Sequence, residues 1–191
     1  MSFLFSPDTL GTLTLQNHLV MAPLTRCRAT GNIPNALMAE YYAQRASVGL
    51  IISEGTSPSP NGLGYPRIPG IFSAAQIAGW KLVTDAAHAK GAKVFMQLIH
   101  CWRIGHALNL PAGARILGPS AVAAAGEMYT DAEGMKQHPT PQAMTDADIK
   151  TAIEEYAQAA KNAVAAGFDG IELHSANGYL LEQFIRPNSN Q

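Results

Sequence analysis

The chain has 191 residues, 47% of them hydrophobic and 14% charged, with a net charge of -1, which is a globular composition with ample apolar content to bury. A near-neutral balance without a basic run leaves no footprint for nucleic acid or anionic lipid, and no stretch reaches the roughly 18–20 apolar residues of a membrane span. Met1-Ser2-Phe3-Leu4-Phe5-Ser6-Pro7 lacks the cationic start and apolar core of a secretory signal, and Cys27 and Cys101 form no C-x-x-C pair, so free thiols in a reducing cytoplasm are expected.

In chain order, Gly11-Thr12-Leu13-Thr14-Leu15 alternates weakly and reads as a hairpin arm that closes the bottom of a barrel. Leu19-Val20-Met21-Ala22 is a first strand, ended by Pro23. Arg45-Ala46-Ser47-Val48-Gly49 then leads into a second strand, Leu50 to Gly55. Ile77, Trp80, Val83 and Ala87 recur at helical spacing before His88-Ala89-Lys90-Gly91 and a third strand, Lys93 to Leu98. Each helix end is closed by glycine, which takes a left-handed conformation at little cost. Each strand is a short apolar run, the pattern of a buried parallel sheet.

Residues 99–144 break the rhythm. A connection of about 45 residues is functional or carries structure of its own, and this one is expected to be a partly structured cap over the active-site face. Thr145-x-x-Asp148 is a capping-box pattern. It opens a third helix whose apolar stripe is Ile149, Ile153, Tyr156, Ala160 and Val164. Gly167 closes this helix before a fourth strand, Phe168 to Leu173. The result is four parallel β/α units, the fourth incomplete.

The run Glu172-Leu173-His174-Ser175-Ala176-Asn177-Gly178-Tyr179-Leu180-Leu181-Glu182 follows that strand, so it lies at the carboxyl end, where barrel and doubly wound folds do their chemistry. His174 and Asn177 both donate hydrogen bonds and together suit a polarised or anionic oxygen. Tyr179, with a phenol pKa of about 10, stays protonated at neutral pH and can give its proton to a strong carbon base. Two oxygen donors and one acid make a constellation for enolate chemistry.

Several ordered motifs extend the pattern over nearly the whole chain. They are Asn17-x-Leu19-Val20-Met21-Ala22-Pro23-Leu24-Thr25-Arg26, Tyr41-Tyr42-x-Gln44-Arg45-Ala46-Ser47, Ile51-Ile52-Ser53-Glu54-Gly55-Thr56, Pro69-Gly70-Ile71-Phe72, Gln97-Leu98 and His174 to Leu181 with Gln183-Phe184. Together they resemble the Old Yellow Enzyme family of flavin-dependent ene-reductases, near its N-ethylmaleimide and morphinone reductase branch.

The resemblance implies an α/β fold of the (β/α)8 TIM-barrel kind. Residues 1–191 would be the N-terminal half of one flavin-binding domain, with about the first four β/α units and an N-terminal hairpin. It implies FMN across the strand ends, reduced by NADPH or NADH. Ala22, Pro23, Leu24 and Thr25 would line the flavin, with the Thr25 hydroxyl near the C4 carbonyl oxygen. Gly55 would let the backbone approach the ring, and the Gln97 amide would bond its pyrimidine edge. His174, which would also contact the flavin, and Asn177 would hold the carbonyl oxygen of an α,β-unsaturated substrate, and Tyr179 would protonate its α-carbon. The family's phosphate-binding loops and a further flavin arginine belong to its second half, so a complementary C-terminal half-barrel segment or second chain is the expected partner, beside the small-molecule substrate.

Two positions depart from the family pattern. Ile99 stands where many relatives carry Trp, which implies a roomier pocket. Trp102 stands where the branch usually has Gly, which implies a reshaped loop or a capped pocket. An alternative function is a non-catalytic half-barrel that needs a complementary chain to bind flavin. A metal-dependent hydrolase fits poorly. The first strand offers no H-x-H pair, and His100 and His106 lack a matching carboxylate pattern. No metal is expected.

Overall fold

The computed structural model describes residues 2–191. An antiparallel hairpin comes first, β1 (Asp8–Leu10) and β2 (Leu13–Leu15), turning through Gly11. The chain then runs through β3 (Val20–Met21), α1 (Ala36–Ala43), β4 (Leu50–Ile52), α2 (Ala74–His88) and β5 (Lys93–Leu98). Within 99–144 it forms β6 (Leu117–Gly118), the hairpin strands β7 (Glu127–Thr130) and β8 (Gly134–Gln137), and β9 (Gln142–Ala143), which pairs in parallel with β6. It finishes with α3 (Asp146–Ala165), β10 (Gly170–Leu173) and α4 (Leu180–Ile185).

Strands β3, β4, β5 and β10 make one parallel sheet in chain order. That is the succession of the first half of a (β/α)8 barrel. β5 has the expected range, whereas β3, β4 and β10 are shorter than their apolar runs, the last two for local reasons. Ser53 still donates to the Phe95 carbonyl at 2.8 Å; the chain then leaves β5 and rejoins it at Thr56, whose N–H reaches the Gln97 carbonyl at 2.8 Å. Before β10, the Asp169 carboxylate takes the Val94 N–H at 2.8 Å in place of a backbone carbonyl.

The capping box expected at Thr145 forms in full, and Ser73 opens α2 with a second one. The glycines divide. Gly91 and Gly167 are left-handed, at φ 88° and 89°, whereas Gly49 is not. A Cβ at Gly49 would collide with the Asn17 carbonyl, so that glycine serves close packing of the hairpin connection under the sheet.

The core lies between sheet and helices. Ile51, Val94, Met96 and Leu98 meet Tyr42, Trp80, Val83, Ala87, Ala159, Ala163 and Phe168 there. Strand alternation turns Ile52, Phe95, Gln97 and Glu172 to the inner face. Val20, on the same face, is 52% exposed.

The apolar stripe expected on α3 is corrected. The structure buries Ala152, Ala159 and Ala163 and leaves Ile153 and Val164 at 64% and 69% exposure. Both stripes have helical spacing. Of the expected stripe Tyr156 does pack against the core, while alanines occupy the closest approach of the helix.

The segment 99–144 docks on the connection after β4. Asn109 donates to the Gly64 carbonyl at 3.0 Å, the Arg115 N–H to the Asn61 side chain at 2.8 Å, and Arg67 pairs with Asp131. No helix among the described residues is long and apolar enough to cross a membrane.

Candidate active site

Because the four strands run in parallel, their carboxyl ends bring Ala22–Arg26, Ser53–Thr56, Ile99–Trp102 and His174–Tyr179 to one rim. Beyond β10 the ladder continues one step, with the His174 N–H on the Leu98 carbonyl at 3.0 Å. The His174 Nδ1 lies 3.4 Å from the Ala176 N–H and accepts from it. Burial lowers the imidazole pKa from its usual 6.5, so the ring is neutral near pH 7. With Nδ1 accepting, the proton sits on Nε2, which is the donor the ring can present.

Asn177 is exposed and left-handed, at φ 58°. An asparagine bears that conformation better than most side chains. The turn is anchored from α4: Glu182 accepts the Gly178 N–H at 2.7 Å, and the Gln183 amide donates to the Gly178 and Cys101 carbonyls at 2.7 and 3.1 Å.

Tyr179 immediately precedes α4. Its ring stands edge-on to His174, with centroids 4.7 Å apart, and its hydroxyl lies 2.8 Å from that of Tyr65. Burial, and then the bond to Tyr65, raise the Tyr179 pKa far above that of a free phenol. Tyr65 is a site residue that sequence reasoning missed. Its only signal is a phenol set between glycine and proline, Gly64-Tyr65-Pro66, in a connection at the strand-end face.

The other expected residues fall on the same rim with different surroundings. Ala22, Leu24 and Thr25 are exposed, and Pro23 is half-buried. Gln97 is buried, and one of its amide protons goes to Glu172 at 2.7 Å. The second amide proton and the carbonyl oxygen remain for other partners. Gly55 is buried, and a Cβ there would press to 2.8 Å from the Ile99 Cγ2. Ile99 thus occupies the space that a larger residue at 55 would need. It packs with Leu63, Ile68 and Cys101 beneath Tyr65 and Tyr179.

Trp102 turns away from this rim. It is left-handed at φ 46° and packs with Leu117, Ala152 and Leu180, its ring 4.4 Å from that of His100. His100 is fully buried, its nearest carboxylate being Glu155 at 3.9 Å, and burial pulls its pKa down to about 4. The His106 ring accepts the Leu108 N–H at 3.2 Å and caps its own short turn. Among the described residues no group of three His, Cys, Asp or Glu could hold a metal ion. Cys101 is buried, which pushes its thiol up to about 12, and no disulfide joins it to Cys27.

The isoalloxazine ring of FMN offers carbonyl oxygens, ring nitrogens and one N–H along its polar edge. The exposed Thr25 hydroxyl and the free half of the Gln97 amide supply donors and an acceptor of matching kind. The residues present fit the ring.

The model of the NADH:flavin oxidoreductase / NADH oxidase family matches residues 3–191. The chain is 43% identical over 190 residues to 12-oxophytodienoate reductase 7 of Oryza sativa subsp. japonica, covering 98% of this chain and 48% of the relative. It is 42% identical over 193 residues to a probable flavin mononucleotide-dependent alkene reductase of Leishmania infantum, covering 98% and 53%. Among solved structures, the Old Yellow Enzyme homologue from Zymomonas mobilis superposes with a TM-score of 0.94 at 44% identity, covering all of this chain and 53% of the other. The chain therefore spans about half the length of the relatives it matches, and its four β/α units are a partial (β/α)8 barrel. With the motif order, the sheet order and these likenesses in agreement, the chain belongs to the NADH:flavin oxidoreductase family, the Old Yellow Enzymes, whose cofactors are FMN and a reduced nicotinamide nucleotide.

Proposed function

We propose that this chain supplies the ring-binding and proton-donating half of an ene-reductase that reduces C=C bonds conjugated to a carbonyl or nitro group, in enals, enones, maleimides and nitroalkenes. The observation that carries this reading is the cluster after β10: a neutral His174, the left-handed Asn177 and a Tyr179 hydroxyl held by Tyr65 at 2.8 Å. Bound FMN, recharged by NADPH or NADH, supplies the hydride for the β-carbon.

The chain's own residues do the rest. Thr25 and Gln97 would bond the ring's polar edge, and Ala22, Pro23 and Leu24 would line it. His174, through Nε2–H, and Asn177, through its amide, donate to the substrate oxygen, where negative charge builds as the β-carbon is reduced. The Tyr179 O–H breaks, its proton goes to the α-carbon, and the phenolate left behind keeps Tyr65 as a hydrogen-bond partner. Ile99, small and buried under the two tyrosines, gives the pocket room for a bulky enone.

Residues 99–144 act as a cap on this face, a reading supported by their bonds to Asn61 and Gly64. A complementary C-terminal half-barrel segment or a second chain covers the unpaired edges of β3 and β10 and completes the phosphate site. The unpaired thiols of Cys27 and Cys101 suit a reducing cytoplasm.

The test separates the two half-reactions by stopped flow in the completed barrel. His174→Ala or Asn177→Ala should slow enone reduction by about 10²–10³, the usual effect of removing one oxyanion donor, and slow flavin reduction by nicotinamide much less. Equal losses in both halves would show general pocket shaping and refute the assignment.

A further inference from the structure

Glu54 has no part in the chemistry above, yet it is 1% exposed. It follows β4 and stands one residue before Gly55. Its Oε2 accepts the backbone N–H of Arg26 at 3.2 Å, and Arg26 directly follows Thr25. Its Oε1 accepts the Tyr42 hydroxyl proton at 3.4 Å, and the Tyr42 oxygen in turn accepts the Glu54 N–H at 2.8 Å. The Glu54 carbonyl takes the hydroxyls of Ser53 and Thr56 at 3.1 and 3.0 Å. Tyr42 is itself buried in the core, against Trp80.

Charged and titratable groups approach this carboxyl from two elements. Arg26, Cys27 and Arg28 come from the loop after β3, and Tyr42 comes from α1. Tyr41 and Glu40 of α1 line the adjoining cavity of about 220 Å³. The Arg26 guanidinium lies over the Tyr41 ring, 5.0 Å from its centre, and Arg28 bonds the Arg26 and Cys27 carbonyls. Among the described residues neither arginine makes an ion pair with Glu54. A buried carboxyl is thus held by one backbone N–H and one hydroxyl, a fragile arrangement where isolated charge is costly. Burial raises its pKa to about 7.

We propose that Glu54 is a positioning residue: its carboxylate ties the loop bearing Thr25 to the turn bearing Gly55 and so sets the spacing of two segments on the cofactor rim. The inference rests on the proposed function only for what those segments face. The bond from the Arg26 N–H is charge-assisted when the carboxyl is ionised and weaker when it is protonated. The spacing therefore tightens as pH rises through neutrality.

The test uses the 191-residue chain without flavin and follows the ¹⁵N–¹H signals of Thr25, Arg26 and Gly55 with pH. All three should titrate with one midpoint near 7, the Arg26 proton moving downfield as Glu54 ionises, and all three should stay still in Glu54→Gln. Tyr42→Phe removes a donor to the carboxylate and should move the midpoint upward, which decides the matter if Glu54→Gln does not fold. Flat signals in the parent, an unchanged titration in Glu54→Gln, movement of Arg26 without Thr25 and Gly55, or an unmoved midpoint in Tyr42→Phe would overturn the proposal. An intact titration in a chain that takes no flavin even when its barrel is completed would count against the flavin reading and support the positioning role.

Discussion

Tyr179 keeps its proton more firmly than a free phenol because it is half-buried and bonded to Tyr65. It suits a strong carbon base and no weaker one. Tyr179→Phe should therefore slow flavin reoxidation by 2-cyclohexenone and largely spare a nitroalkene, whose nitronate can leave and take its proton from water. Reoxidation rates for the two substrates check this, and an equal loss for both would remove Tyr179 from the role. The position of His174 and Asn177 just beyond a parallel strand was legible, whereas the pairing of Tyr179 with Tyr65 was not. Nothing local in Gly64-Tyr65-Pro66 announces a partner 114 residues away. Glu54 was legible only as part of a motif, because its burial depends on Tyr42 and Arg26 arriving from other elements. Its raised pKa carries a sign for stability. The folded chain holds a proton that the unfolded chain gives up near 4.5, so stability should fall as pH rises from 4.5 to about 7 and then level off. The loss is on the order of 3 kcal/mol at most, and melting temperatures of Glu54→Gln and parent at both ends of that window measure it.

At the level of elements, the start of α3 was the most legible feature, since Thr145 and Asp148 write its capping box into the sequence. Helix ends were less so. Gly49, Gly91 and Gly167 look alike in the sequence, but Gly49 is needed for a contact with Asn17. The buried stripe of α3 was hidden for a related reason. Periodicity finds a face, and only the closeness of the neighbouring layer selects Ala159 and Ala163 over Ile153 and Val164. The turn after β5 is where sequence and local preference conflict most openly, because Trp102 adopts a left-handed conformation that ordinarily costs about 1–2 kcal/mol. Its ring more than compensates by filling the space between Leu117, Ala152 and Leu180. Trp102→Gly should relieve the backbone yet lose about 3–5 kcal/mol of packing. A net destabilisation of about 2 kcal/mol follows from these two opposing effects. Chemical denaturation measures it, and a neutral or stabilising result would show that the ring contributes little.

Over the whole molecule, sheet order and strand direction were readable from the repeated helix–glycine–strand pattern, because consecutive parallel strands joined by helices have few other ways to pair. The inner face was not. Val20 on that face is half-exposed, and Ile171 and Leu173 beside the helical layer are 37% and 47% exposed, surfaces that a second set of β/α units would cover in a closed barrel. In the proposed function this rim, once the barrel is complete, passes electrons from flavin to a conjugated C=C bond. The direct test assembles the chain with the second half of a family barrel, loads it with FMN, reduces it anaerobically with NADPH and mixes it with 2-cyclohexenone. Oxidised-flavin absorbance should return as cyclohexanone forms. A flavin that binds and is reduced, yet stays reduced with every enone, enal and nitroalkene offered, would contradict the proposed function.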